Sequence, residues 1–212
     1  MICSPSFLSC DFNKLELEIQ SISEAKWIHF DVMDGKFVPN TTYNHHVLSR
    51  IKKISNQFFD CHLMISNPEK FYMDYINAGA DLITFHFEAT KDPKTLIQAI
   101  KDKGVLAGIS IKPGTDVLVL EPLLPLLDLI LIMSVEPGKG GQKFIMNSLN
   151  KIKYLDDKRN KNNYKYLIEV DGGINFETAK LVKDSGNDVV VVGSFIFNKN
   201  NRNELVKEFE NV

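Results

Sequence analysis

The sequence predicts a single-domain (β/α)8 TIM barrel over residues 1–212. Three observations carry this expectation. About eight β-rich runs alternate with helical patterns, at roughly 25 residues per unit. Two of the runs, 129–135 (LILIMSV) and 188–193 (DVVVVG), are nearly unbroken apolar stretches, as parallel strands covered on both faces should be. No linker or shift of composition divides the chain, and its 212 residues match the lower end of the size range for such barrels. An open doubly wound sheet is the competing arrangement. It needs a glycine-rich turn after the first strand, and residues 5–12 (PSFLSCDF) contain no glycine.

Each element has its own signal. Residues 2–8 read as a strand ending near Ser6. From Asp11, the spacing of Leu15, Ile19 and Ile22 predicts a helix. Trp27 begins a second strand that runs into the Gly/Pro-punctuated loop DGKFVPN, and His46 to Ile54 is weakly helical. Residues 58–65 form the third strand. A helix starts at Pro68 and closes at Gly79, since proline suits a first turn and glycine a C-terminus. Residues 82–87 are a strand, Pro93 to Lys103 a helix stopped by Gly104, and 105–111 a strand. Val117 to Leu127 has a helical pattern interrupted by Pro122 and Pro125. After the 129–135 strand comes the loop EPGKGGQ, then a helix expected from about Phe144 to Asp157. The polar stretch 158–165 (KRNKNNYK) reads as a surface loop. Residues 166–171 are a strand, Phe176 to Ser185 a helix, and Glu204 to Phe209 a last short helix after the 188–193 strand.

Composition narrows the class. Hydrophobic residues make up 44% and charged residues 25%, which describes a globular chain. A net charge of -2 offers neither a basic field for nucleic acid nor a polybasic membrane patch. No apolar run is long enough to cross a bilayer, and no charged leader or cleavage site is visible. Cys3, Cys10 and Cys61 are too few and scattered for a disulfide framework or a cysteine zinc site, so a cytoplasmic location is expected.

The polar residues with chemistry in them stand at strand ends. His29, Asp31 and Met33 share one strand face, with Ile28, Phe30 and Val32 on the other. His62 and Met64 repeat the arrangement on the next strand. Ser6, Met133 with Ser134, Asp171, and Gly193 with Ser194 also end strands. In a barrel all these ends converge on one mouth, where catalysis belongs. Two His and two Asp meeting there would suit one divalent metal of the Zn, Mn, Fe or Co type. His86 also ends a strand and is expected to support this set rather than join it, while His45 and His46 read as loop surface. Gly138, Gly140 and Gly141, Gly172 and Gly173, and Gly193 lie at one rim, where backbone N–H groups could approach a phosphate.

These residues carry a resemblance to a known family. PSFLSCDF, IHFDVMDGKFVPN, DCHLMISNPE, ITFHFEA, GISIKPGT, MSVEPGKGGQKF, EVDGGIN and VVGSFIF together resemble the ribulose-phosphate 3-epimerase family, nearly end to end. The resemblance implies a metal-dependent pentose-phosphate-pathway enzyme that inverts C3 of a ketopentose phosphate by two-base proton transfer through a cis-enediolate. It assigns one divalent ion, zinc foremost, to His29, Asp31, His62 and Asp171, and the acid/base roles to Asp31 and Asp171. Ser6 and His62 would contact substrate, and Met33, Met64 and Met133 would form a thioether cluster over the reacting carbon. Gly138, Lys139, Gly140, Gly141, the run Asp171 to Gly173, Gly193 and Ser194 would line the sugar-phosphate site. A small-molecule partner and a homo-oligomer are expected, with neither nucleic acid nor membrane. A hexulose-phosphate (allulose 6-phosphate) 3-epimerase and a catalytically silent sugar-phosphate-binding barrel are the alternatives. Three departures from the family pattern stand out: Lys139 in place of an aromatic, TTYNHH after VPN, and SGND in place of a Gly-Ala-Asp turn. None falls on an expected ligand.

Overall fold

The computed structural model describes residues 1–212. Its eight strands are β1 (Ile2–Pro5), β2 (Trp27–Met33), β3 (Phe58–Met64), β4 (Leu82–His86), β5 (Leu106–Ile111), β6 (Leu129–Met133), β7 (Leu167–Asp171) and β8 (Val189–Val192). All neighbours pair in parallel, in the order β1-β8-β7-β6-β5-β4-β3-β2. The two ends of this order meet at a parallel bridge between Ser6 and His29. The fold is a single-domain (β/α)8 TIM barrel, as the alternation of elements predicts.

Strand alternation sorts the side chains. Ile28, Phe30 and Val32 of β2 and Phe59, Cys61 and Leu63 of β3 face outward, into a continuous apolar core of 48 buried residues between strands and helices. Inside the barrel the base is apolar: the rings of Trp27 and Phe58 stack at 4.2 Å, beside Leu82, Leu129 and Leu131. Above that plug the interior turns polar. Register places Asp31 beside His62, Met33 beside Met64 and Met133 beside Asp171. Residues separated by more than a hundred positions therefore meet at one end.

The helices are α1 (Leu15–Gln20), α2 (His45–Lys52), α3 (Pro68–Asn77), α4 (Pro93–Lys101), α5 (Ser148–Asn162), α6 (Phe176–Asp184), α7 (Ser194–Phe197) and α8 (Arg202–Glu210). Pro68 and Pro93 occupy first turns, as expected. Asn175 and Thr178 form a reciprocal capping box that starts α6 just beyond the end of β7.

Several boundaries differ from expectation, each for a local reason. β1 stops at Pro5, and Phe7–Ser9 turn as a 3-10 helix capped by the Ser6 hydroxyl. His45 and His46 open α2 instead of lying in a loop, because the Asn44 side chain accepts the His46 N–H at 3.1 Å. Pro122 and Pro125 break the expected 117–127 helix into two 3-10 turns, Val117–Leu120 and Leu124–Leu126. The helix expected from Phe144 starts only at Ser148, since the Ile145 N–H donates to the Ser134 carbonyl at 2.8 Å and ties that segment to the end of β6. α7 has no clear periodic signal in its four residues.

The polar stretch 158–165 is the largest correction: most of it extends α5, which ends where Asn163 turns left-handed at φ 56°. Arg159 holds that extension down. Its guanidinium donates to Asp156 at 2.7 Å, to the Tyr166 and Gly186 carbonyls at 3.1 Å, and to Asp188. Arg159→Ala is expected to destabilise the protein by about 1–3 kcal/mol, because two carboxylates and two carbonyls lose a charged donor. Urea unfolding reads this directly, and an unchanged midpoint would mean that α5 is anchored by its apolar face alone.

Candidate active site

The buried polar cluster starts from β2, β3 and β7, which project His29 and Asp31, Asp60 and His62, and Glu169 and Asp171 into the barrel. One atom from each of His29, Asp31, His62 and Asp171 lies within 4.8 Å of all the others. Asp31 is the hub. Its Oδ1 is 3.3 Å from His29 Nε2 and 3.2 Å from His62 Nδ1, while its Oδ2 accepts the Ser6 hydroxyl at 2.7 Å. On the far side, His29 Nδ1 meets Asp60 Oδ2 at 2.5 Å, and Glu169 stands 3.7 Å away. His62 Nε2 faces His86 Nε2 at 2.9 Å, and His86 Nδ1 faces Glu88 at 3.3 Å.

Burial and mutual charge set the ionisation of this cluster. Burial alone would raise Asp31, but His29 and His62 outweigh it and hold the carboxyl well below the usual carboxylate range. Asp171 moves the other way: burial and the Asp31 charge push it up to about 7. Burial disfavours a charged His29, yet Asp60 and Asp31 outweigh it and raise the imidazole well above its ordinary value. Burial keeps His62 neutral, and pushes His86 down to about 4. Glu169 is raised by burial and by the nearby Asp60. The carboxyls of Asp31 and Asp171 therefore shift in opposite directions.

Above the cluster opens a cavity of about 500 Å³. Ser6, Asp31, Met33, Met64, Met133, Asp171, Gly193, Ser194 and the two glycine-rich segments 138–141 and 172–173 all line it. His29 and His62 do not reach its wall; both are fully buried beneath it. Met33 and Met64 pack together with Val38, whereas Met133 packs with Leu129, Leu131 and Val135 and meets them only across the cavity. The glycines divide in the same way. A Cβ on Gly138 would strike Val38 at 2.8 Å and one on Gly172 would strike Val135 at 2.4 Å, so these two are glycine for close packing at positive φ. Gly140 and Gly141 have open space beside them.

Sequence reasoning did not single out Asp60, Glu169, Glu88 or the rim residues Asn198 and Lys199. For the first two a signal was present: in DCH and EVD an acid stands two positions before each ligand candidate, on the same strand face. Lys199 and Asn198 follow a helix that has no periodicity to reveal it.

Comparison with known proteins identifies the family. Residues 2–197 match the model of the ribulose-phosphate 3 epimerase family. The chain is 42% identical over 207 residues to ribulose-phosphate 3-epimerase of Treponema pallidum (strain Nichols), covering 97% of this chain and 95% of that one. It is also 42% identical over 211 residues to ribulose-phosphate 3-epimerase of Bacillus subtilis (strain 168), covering 97% and 96%. Among solved structures, 3-hexulose-6-phosphate synthase from Salmonella typhimurium superposes with a TM-score of 0.72 over 100% of this chain and 97% of that one, at 18% identity, a likeness of fold.

The loop after β2 hangs on Asp34, just past that strand. Its carboxylate accepts the N–H groups of Lys36 and Phe37 at 2.9 Å and both the N–H and the hydroxyl of Ser66 at 2.8 Å. Burial opposes its charge, but these donors outweigh it and bring the carboxyl down from 3.8 to about 2. A carboxyl depressed on folding stabilises the fold fully above its unfolded value, and the contribution is lost as pH falls through the folded one. Asp34→Ala is expected to cost about 1–2 kcal/mol near neutral pH, discounted for its partial exposure. It should also flatten the stability loss between about pH 4 and about pH 2. Urea unfolding across a pH series measures both; an acid limb identical to wild type would show that Asp34 does not anchor the loop.

Proposed function

The chain belongs to the ribulose-phosphate 3-epimerase family, and from that premise we propose that it interconverts D-ribulose 5-phosphate and D-xylulose 5-phosphate with one divalent ion held by His29, Asp31, His62 and Asp171. The observation that carries the metal assignment is the His29 ring. Its Nδ1 is taken by Asp60, while its Nε2 is fully buried, has no hydrogen-bond partner and faces the Asp31 carboxylate. A buried imidazole held between two carboxylates calls for positive charge, which a proton supplies in the unloaded site and a metal ion at Nε2 would supply on loading. Two imidazoles and two carboxylates are a donor set for zinc, iron, manganese or cobalt, zinc foremost.

A divalent ion held by these four residues would supply Lewis-acid charge against the negative charge that develops on the substrate's oxygens. The chain's own residues do the rest. Asp31 and Asp171 approach the C3 position from two strands on different sides of the barrel mouth. One removes the C3 proton, made acidic by the neighbouring carbonyl, and the other returns a proton to the opposite face of the cis-enediolate. The Ser6 hydroxyl donates to Asp31 and holds its orientation. Met33, Met64 and Met133 wall the reacting carbon with polarizable groups that carry no proton to exchange. Gly140, Gly141, Gly193 and Ser194, with Lys139 and Lys199 at the rim, receive the phosphate. Binding energy gathered there holds C3 between the carboxylates.

Removal of metal with a chelator is expected to abolish turnover, and zinc, manganese, iron or cobalt to restore it. Affinity for zinc should rise with pH through about 7, because Asp171 and His29 each release a proton when a cation takes its place. Isothermal titration in buffers of different ionisation enthalpy counts those protons. Full turnover in protein shown to be metal-free would refute the assignment.

Exchange with D2O tests the two carboxylates. Wild-type enzyme should place solvent deuterium at C3 of product. Asp31→Asn and Asp171→Asn should each lower epimerisation by about 10²–10⁴-fold. Each metal-loaded variant keeps one carboxylate, so each should exchange the C3 proton of one epimer, and the two should favour opposite epimers by NMR. Exchange of the same epimer by both would exclude bases on opposite faces.

A further inference from the structure

His62 can serve as a ligand only if one ring nitrogen is free of hydrogen, and what decides which one lies two residues away from it in the hydrogen-bond chain. We propose that Glu88, acting through His86, is a positioning residue that fixes His62 with hydrogen on Nε2 and a bare Nδ1 directed at the metal position. The proposal rests on the metal reading above, and adds a device to it.

The chain of contacts fixes the polarity step by step. Glu88 Oε1 accepts the Lys112 N–H at 2.8 Å and the Thr115 hydroxyl. That cradle turns the other oxygen, Oε2, toward His86 Nδ1 at 3.3 Å. A carboxylate only accepts, so His86 carries its hydrogen on Nδ1. His86 is fully buried and its ring packs at 4.7 Å against that of Phe37, so the contact with Glu88 sets its orientation. A neutral imidazole with hydrogen on Nδ1 has only a lone pair on Nε2. Facing it at 2.9 Å is His62 Nε2, which must therefore be the donor. His62 Nδ1 is then bare, 3.2 Å from Asp31 Oδ1. Two acceptors face each other there, and a cation between them would resolve the repulsion. Lys112 Nζ lies 4.1 Å over the Phe37 ring, so the same residue steadies both the ring that packs on His86 and the carboxylate that polarises it.

Glu88→Gln tests the proposal with almost no change in shape. The Lys112 N–H and the Thr115 hydroxyl hold the amide oxygen where Oε1 was. The amide NH2 then replaces Oε2 and donates to His86 Nδ1. Polarity reverses along the chain: His86 donates from Nε2, and His62 carries hydrogen on Nδ1, pointing at Asp31. Histidine 15N NMR of the metal-stripped full-length protein reads the tautomer. Wild type should show His62 with a bare Nδ1 and the variant with a protonated one. Zinc affinity, measured by competition with a chelator, should weaken about 10–100-fold, the usual effect of removing a partner behind a metal-binding histidine. His86→Phe, which keeps the ring against Phe37, should give mixed His62 tautomers and a similar loss of zinc affinity. A Glu88→Gln protein with the wild-type His62 spectrum and wild-type zinc affinity would overturn the proposal. If wild type itself takes up no zinc, the metal reading fails, and the 15N spectra alone decide for or against the relay.

Discussion

The barrel mouth is organised around one carboxylate. Asp31 touches β1 through Ser6, β2 through His29 and β3 through His62. It does so where the sheet closes on itself, at the Ser6 to His29 bridge. A charged group at that depth is costly unless its partners are fixed. Asp60 behind His29, and the pair His86 and Glu88 behind His62, supply that fixity. The polar interior is thus built in successive layers from the base of the cluster outward, and each layer constrains the hydrogen positions of the one above it. Removing any member leaves a buried group unmatched, so these residues act as a unit rather than as separable contributions.

The architecture was legible because both periodicities were present. Alternating strands such as WIHFDVM and unbroken ones such as LILIM announced parallel strands, and Pro68, Gly79, Pro93 and Gly104 marked helix ends correctly. The failures have physical causes. KRNKNNYK is strongly polar, which sequence patterns assign to a loop, yet its Lys158 and Arg159 find acidic partners on Glu121 and Asp188 that no local window contains. The Val117 to Leu127 pattern has helical spacing, but two prolines remove the N–H groups that a helix needs. The site residues were legible through strand alternation plus the rule that barrel strands converge at their C-terminal ends. The supporting acids were legible only in part: alternation puts Asp60 and Glu169 on the ligand face, but not what each one meets. An acid inside a barrel has meaning only through the histidine it meets on another strand, and that meeting is set by register, which a single sequence leaves open.

Glycine in the rim loops serves two separate needs. Gly172 and Gly138 let neighbouring valines approach the backbone, and any side chain there would collide with protein before it met a ligand. Gly140 and Gly141 border open space instead. A glycine-rich motif in a sequence does not distinguish these uses, since both need a small residue in a turn.

One contact joins the two loops that face each other across the mouth. The Asn40 side chain donates to the Gly138 carbonyl at 2.7 Å, and Val38 fills the place of a side chain on Gly138. The loop after β2 and the loop after β6 therefore hold a shared outline that single substitutions at either partner would disturb on both sides. Lys139 is adjacent to that clasp but outside it, next to the two glycines with free space. Positions 139 and 140 form the stretch of the rim that can change size and charge without dismantling the mouth, whereas the left-handed backbone of Gly141, at φ 75°, favours glycine.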